Sequence, residues 1–228
     1  MILASRSPRR IELLGSLGLK FSLYFPDIDE SQADGESPLD YVKRMAEEKA
    51  FEGGLRRMFC GDLAIPDQWA YTVIAADTIV IAPDGQTILG KPYDEGEASA
   101  TLRLLRGKIH TVCTALQVEW FSPRVLGHYD LEQASEVVQT RVTMRYYTDE
   151  EIAAYVATGD PFDKAGGYAI QHAAFNPVAR IDGCYSNVVG LPLCAVKRCL
   201  HQLRLSDDQN PLLRASEVCN CQPFGSLP

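Results

Sequence analysis

The chain has 228 residues, 46% hydrophobic and 23% charged, with a formal net charge of -8 and a pI near 5.0. That length suits one domain, at most a two-lobed one, and buries roughly 70% of the surface that the unfolded chain exposes, so no disulfide or metal staple is required. The composition excludes disordered, collagen-like and low-complexity chains, no apolar run approaches the roughly 20 residues of a membrane span, and an acidic chain makes a poor general binder of nucleic acid. Met1-Ile2-Leu3-Ala4 meets Ser5 and Arg6 too early for a signal peptide, so a cytoplasmic protein that avoids membranes and nucleic acid is expected. The seven cysteines are odd in number and scattered, which argues against a disulfide framework. Cys219 and Cys221 form a lone C-x-C without the second pair or the histidines of a zinc site, and reduced thiols are the plainer reading.

Ile2-Leu3-Ala4 reads as a short buried strand. Ser7 then suits an N-cap and Pro8 the first helical position, and Ile11, Leu14 and Leu17 recur at helical spacing as far as Gly18. A second helix opens at Ser37-Pro38-Leu39-Asp40, carries Val42, Met45 and Ala46 on one face, and is expected to stop at Gly53-Gly54. Residues 55–70 show no clean period and read as a connection. Tyr71 to Ala82 is a long, β-branched, apolar run, expected to break or end near Asp77. Pro83-Asp84-Gly85 turns the chain back through Thr87-Ile88-Leu89 to Gly90-Lys91-Pro92.

Residues 95–105 read as a helix closed by Gly107, and Thr111–Trp120 and Val137–Tyr146 as strands. Thr148-Asp149-Glu150-Glu151 is a capping box for a helix that runs to Gly159. Short strands follow around Val178–Ile181 and Val188–Val189, then a helix from Pro192 to about Leu203. The tail from Ser206 is polar and is expected to pack poorly. Alternating strands and helices make the class α/β, and the hairpin makes the sheet mixed.

Five places carry chemistry. The strand–Ser5-Arg6-Ser7-Pro8-Arg9-Arg10–helix opening offers unpaired N–H groups and guanidinium donors to an anion; the bland alternative is a solvated basic first turn. Cations oppose the macrodipole there, so an anion would offset the cost. Asp77 is a lone carboxylate inside an apolar run, where an unpaired charge is costly; it reads as a metal ligand, a general base or a turn-capping residue. Lys91 sits on a stiff loop between Gly90 and Pro92. Asp163-Lys164-Ala165-Gly166-Gly167, followed by Gln171, suits a loop that approaches a ligand closely, or an exposed turn with a weak ion pair. Asp27-Ile28-Asp29-Glu30 is a solvated acidic loop or a source of a metal or water ligand. Separated carboxylates (Glu30, Asp77, Asp163) and separated cations (Arg9, Arg10, Lys91, Lys164) are the set that phosphoryl chemistry uses, provided they converge.

These stretches together, with Ala76-Asp77-Thr78, Thr158-Gly159-Asp160-Pro161, Ile170-Gln171 and Val189-Gly190-Leu191-Pro192, resemble the Maf family of nucleoside triphosphate pyrophosphatases, in order over residues 2–203. The resemblance implies an elongated mixed sheet with flanking helices and two lobes around a cleft, similar to the inosine-triphosphate pyrophosphatase superfamily. It makes residues 2–205 the nucleotide pyrophosphatase domain and 206–228 a tail. It further implies cleavage of a triphosphate to monophosphate and pyrophosphate with a divalent cation (Mg, Mn or Co), and it allows a homodimer.

Carried over by position, Asp77 looks like the proton acceptor, with Lys91 and Glu30 as its catalytic companions and Glu30 and Asp77 as metal ligands. Ser5, Arg10, Lys91 and Lys164 look like phosphate-site residues, and Glu30 and the substrate-binding Asp163 like carboxylates near metal and water. Arg9, Thr78 and Gln171 fall where base preference is set, and they match the branch that handles dTTP, UTP and modified relatives. A Gln amide both donates and accepts, which matches an imide N–H flanked by carbonyls. A 7-methyl-GTP or purine preference is the alternative within enzymes, and a regulatory binding role linked to septum formation the alternative outside them. The chain departs from the pattern at His172-Ala173-Ala174-Phe175-Asn176-Pro177, where His172 and Phe175 could crowd the base, at the long stretch 55–70, and in the tail.

Overall fold

The computed structural model describes residues 1–60, 70–123 and 129–205. Strand β1 (Ile2–Ala4), helix α1 (Pro8–Gly15), strand β2 (Ser22–Tyr24) and helix α2 (Pro38–Cys60) open the chain. There follow β3 (Tyr71–Ile81), β4 (Ile88–Leu89), α3 (Glu95–Leu105), the long pair β5 (Ile109–Pro123) and β6 (Tyr129–Met144), and α4 (Asp149–Val156). Two 3₁₀ turns, Asp160–Asp163 and Ala165–Gly167, lead to β7 (Val178–Asp182), α5 (Tyr185–Val189) and α6 (Leu193–Gln202). The class is the mixed α/β one expected. Among the described residues seven strands form one sheet in the order β2-β1-β3-β5-β6-β7, with β4 paired to β3. β1 runs parallel to β2 and β3, and the other pairs are antiparallel.

Successive strand side chains point to opposite faces, and β3 shows what that does to the core. Tyr71, Val73 and Ala75 pack with Ala50 of α2 and Phe121, and further along Ile79 and Ile81 meet Val42 and Ala46 of the same helix. On the other face Ile74 and Ala76 join Leu14 of α1 and Val196 of α6. Val80, on that same face, belongs instead to a separate cluster with Leu102 of α3 and Ile152 of α4. The apolar core on this face is therefore divided in two. The seam between the halves falls at Thr78.

Four expectations about elements need correcting. α2 does not stop at Gly53-Gly54 but runs through to Cys60. The glycines are there for packing: a Cβ on Gly53 would lie 3.1 Å from Val73 Cγ1, and one on Gly54 would lie 2.5 Å from Phe121 Cζ. β3 is unbroken at Asp77, which keeps its register opposite Ala115 while its side chain turns to α2. β5 and β6 are longer than expected; in β6 the exposed Glu132, Gln133 and Ser135 hide the strand signal. Val188–Val189 closes the short helix α5 rather than forming a strand, and Gly190, at φ 124°, turns the chain out of it. The capping box at Thr148 and Glu151 forms as read, with both bonds present. The stretch 61–69 and the tail from residue 206 lie outside the described residues.

One buried base has a consequence for stability. His110 is 2% exposed, and its Nε2 lies 2.7 Å from the Tyr168 hydroxyl. Burial draws its pKa from the ordinary 6.5 down to about 4. Between those values the unfolded chain holds a proton that the folded chain does not. This group therefore makes stability fall as pH drops through that window, by up to about 3 kcal/mol. Urea midpoints compared at pH 7.5 and pH 5.0 are expected to separate less in His110→Gln than in the unmodified chain. Equal separation would assign the loss to other groups.

Candidate active site

The site occupies a break in the sheet. β1 covers the edge of β3 only as far as Ala75, and β4 takes up that edge again at Val80 and Ile81. Between them the edge of β3 carries no strand, and a cleft of about 950 Å³ opens there. Neighbouring residues of β3 reach the cleft from opposite faces, Asp77 from the α2 side and Thr78 from the α1 side. Among the described residues its lining carries six cations (Arg6, Arg9, Arg10, Lys49, Lys91, Lys164) against four carboxylates (Asp27, Glu30, Asp77, Asp163). A chain that is acidic as a whole is thus locally basic at this point.

α1 begins at the rim of the cleft, just beyond the C-terminal end of β1, the position where open α/β sheets bind ligands. Ser7 stands at the N-cap with extended backbone, as expected, but its side chain makes no cap bond. Ser5 is buried, and its Oγ instead accepts the N–H of Ser7 at 3.1 Å, which stiffens the approach to the helix. The first-turn N–H groups are thus left without a side-chain cap at the cleft wall.

Arg10 is anchored at two points. Its Nε donates to the Gly190 carbonyl at 2.8 Å and its NH2 to Thr78 Oγ1 at 2.9 Å. Burial lowers its pKa from the usual arginine value, and the charges of Asp77 and Glu30 work against that. The Thr78 hydroxyl also lies 2.9 Å from Thr114 Oγ1 and 3.3 Å from the Gly190 oxygen, so its bonding capacity is used within the protein.

Across the cleft the carboxylates share a cation that the sequence reading missed. Lys49 of α2, 8% exposed, places Nζ 2.6 Å from Glu30 Oε1 and 2.7 Å from Asp77 Oδ1. Burial pushes the Glu30 carboxyl up, but the Lys49 hydrogen bond and charge, with Lys91 and Arg10 further off, hold it below its ordinary value. Tyr41 donates to the Glu30 backbone carbonyl at 2.8 Å and fixes the acidic loop to α2. Burial and the Asp77 and Glu30 charges push the Tyr41 hydroxyl up to about 12, so it keeps its proton.

A signal for Lys49 exists in the sequence. Val42, Met45, Ala46, Lys49 and Ala50 fall on one helical stripe, and all are buried. A lysine on the apolar stripe of a helix needs a partner.

The remaining expected residues converge on the same cleft. Lys91 lines it and takes no hydrogen-bond partner among the described residues. Lys164 is held hard: Nζ donates to the Asp160 carbonyl at 2.6 Å, to Asp160 Oδ1 at 2.9 Å, and to Asp163 Oδ1. All three of its protons are committed, so an incoming anion must displace one of these bonds. Asp163 also faces Arg9 at 3.5 Å. Gln171 lies exposed at the cleft lip.

His172 and Phe175 do not crowd the cleft. The Phe175 ring stacks on Tyr155 at 4.3 Å and is buried, and His172 meets Tyr155 edge-on at 4.7 Å. Among the described residues no group of three or more His, Cys, Asp and Glu could hold a metal by itself, and no helix is long and apolar enough to cross a membrane.

Fold and site define a class: a mixed α/β protein whose cleft sets an uncapped, arginine-bearing helix N-terminus against a pair of carboxylates bridged by one lysine. Residues 1–203 match the Maf-like protein family, and the chain belongs to it. A protein named dTTP/UTP pyrophosphatase from Geotalea uraniireducens is 44% identical over 206 residues, which cover 89% of this chain and 94% of that one. Another of the same name, from Geobacter sulfurreducens, is 43% identical over 206 residues, covering 89% and 96%. A crystal structure of a nucleoside-triphosphatase / dITP/XTP pyrophosphatase from Mycobacterium abscessus aligns at 15% identity over 63% of this chain and 72% of that chain, with a TM-score of 0.34. Likeness at that level is too slight to carry an argument.

Proposed function

We propose that the chain is a nucleoside triphosphate pyrophosphatase that hydrolyses dTTP, UTP and related modified pyrimidine triphosphates in the cytoplasm, with residues 2–205 as the working domain. The observation that carries this reading is the convergence, in a member of the Maf-like family, of the α1 N-terminus, Arg10, Lys91 and Lys164 on a cleft that also holds Glu30, Lys49 and Asp77. The cations neutralise a triphosphate, and a carboxylate takes the proton of the attacking water. Asp77 fills that second role, because it is fixed on a rigid strand and held by Lys49.

Glu30 and Asp77 are the residues that would hold a divalent cation. A small hard cation commonly takes one or two carboxylates and completes its shell with substrate phosphates and water, so two acids suffice. When bound it would neutralise phosphate charge. Thr78 holds Arg10 in place, which leaves Gln171 and Arg9 to meet the base.

Reaction in ¹⁸O-labelled water tests the reading. Attack at the α-phosphorus leaves the products as monophosphate and pyrophosphate, whereas label in free phosphate from an intact triphosphate would sink it. Base preference is expected as a higher kcat/KM for dTTP or UTP than for dCTP and 7-methyl-GTP. Gln171→Ala is expected to erode that ratio by roughly tenfold to a hundredfold, the value of one lost base-edge hydrogen bond. A preference of the unmodified chain for 7-methyl-GTP would remove the pyrimidine assignment.

A further inference from the structure

On the sheet face away from α2 a second, open hollow of about 590 Å³ is lined in part by Cys184, Cys194, Glu136 and Arg198. Cys184 stands just before α5 and Cys194 lies in the first turn of α6. Their Sγ atoms are 3.8 Å apart, and the two residues are 2% and 7% exposed at the wall of the hollow. Both are thiols. Arg198, one helical turn beyond Cys194, brings NH2 to 3.8 Å from its Sγ and also holds Glu136 through two hydrogen bonds. The Arg198 guanidinium thus stands beside the Cys194 sulfur with its charge shared with Glu136, and the thiolate is the form of a cysteine that reacts. A disulfide needs the sulfurs at about 2.04 Å, a travel of under about 2 Å from where they stand.

The thiol pair is wired to the cleft. Cys184 Sγ lies 3.2 Å from Ser186 Oγ, which accepts the Leu193 N–H at 3.0 Å. The Ser186 carbonyl accepts the N–H groups of Gly190 and Leu191 at 3.1 and 2.9 Å, so the turn that presents the Gly190 carbonyl to Arg10 hangs on Ser186. A second line runs from the Cys184 N–H to Thr140 Oγ1 (3.0 Å), which also receives the Asn187 amide (2.9 Å). The Asn187 carbonyl in turn accepts from Thr114, the neighbour of Thr78.

We propose that Cys184 and Cys194 form a reversible oxidation site for hydrogen peroxide, and that closing it withdraws the Gly190 anchor from Arg10 and weakens triphosphate binding. The Cys194 thiolate attacks one peroxide oxygen and the O–O bond breaks, giving a sulfenic acid and hydroxide, which takes up a proton. Cys184 sulfur then attacks the sulfenic sulfur, the S–O bond breaks, and water leaves as the S–S bond forms. Two thiols and one peroxide give one disulfide and two waters. A dithiol reductant reverses the change by exchange.

The full chain is treated with hydrogen peroxide, quenched by alkylation, digested with trypsin and weighed. Both cysteines fall in the single tryptic peptide 181–197, so the expected product is that peptide lighter by two hydrogens and closed to alkylation. Alkylation of both cysteines after peroxide, or a link from either to another cysteine, would overturn the site. The coupling to the cleft rests on the pyrophosphatase reading. KM for dTTP is expected to rise about tenfold on oxidation, to return with dithiothreitol, and to stay put in Cys194→Ser and Cys194→Ala. A closed disulfide with unchanged KM would overturn the coupling. Absence of turnover on every triphosphate would overturn the pyrophosphatase reading and the coupling built on it, while the mass result still decides the site.

Discussion

Asp77→Asn is expected to lower kcat at least about a hundredfold and to leave the fold intact, since a positioned general base contributes about 10²–10⁴. The strand does not need the charge: Asp77 keeps its ladder position opposite Ala115 through the backbone alone. An asparagine oxygen can still accept from Lys49, so the geometry of the pair is preserved while the proton acceptor is lost. Lys49 keeps Glu30 as its charged partner at 2.6 Å, so no buried ammonium is stranded. Steady-state turnover read beside a thermal melt checks both halves. Near-normal turnover in the folded variant would reduce Asp77 to a structural residue.

Local signals were legible and nonlocal ones were not. The strand–Ser-Arg-Ser-Pro–helix opening and the Thr148 capping box lie within a few residues of chain, and both form where they were read. Asp77 and Thr78 come into one site only through the family resemblance, since spacing alone does not show how neighbouring residues of one strand reach a common cleft. That requires the gap between the end of β1 and the start of β4, and three separate segments of chain create it. Gly53-Gly54 read as a helix stop because a glycine that admits a neighbouring strand looks the same in sequence as one that ends a helix. His172 and Phe175 read as obstacles because their spacing cannot show that Tyr155 draws both rings away from the cleft.

Lys49→Met is expected to cost about as much turnover as Asp77→Asn and, unlike it, to move the pH profile. The methionine stem suits the apolar stripe that Lys49 shares with Met45 and Ala46, so the change removes the ammonium and little packing. Glu30 and Asp77 then face one another across the space of a nitrogen that held both within 2.7 Å. Two carboxylates so placed cannot both stay ionised cheaply, and one keeps its proton to higher pH.

In the unmodified chain the Glu30 carboxyl is held below its ordinary value of 4.5. Its contribution to stability is present above that value and fades as pH falls through the lower folded one. In the variant the sign reverses, so the stability gap between the two proteins is widest near pH 7 and narrows towards pH 4. Removing one partner of a buried pair costs about 3–5 kcal/mol, but the Glu30 side chain is 56% exposed, which brings the expectation near pH 7 down to about 1–2 kcal/mol. Urea unfolding at the two pH values, with kcat followed across the acid limb, separates the outcomes. A displaced acid limb with lost turnover places Lys49 in the machinery. An unmoved limb with turnover retained would make it a structural counter-ion.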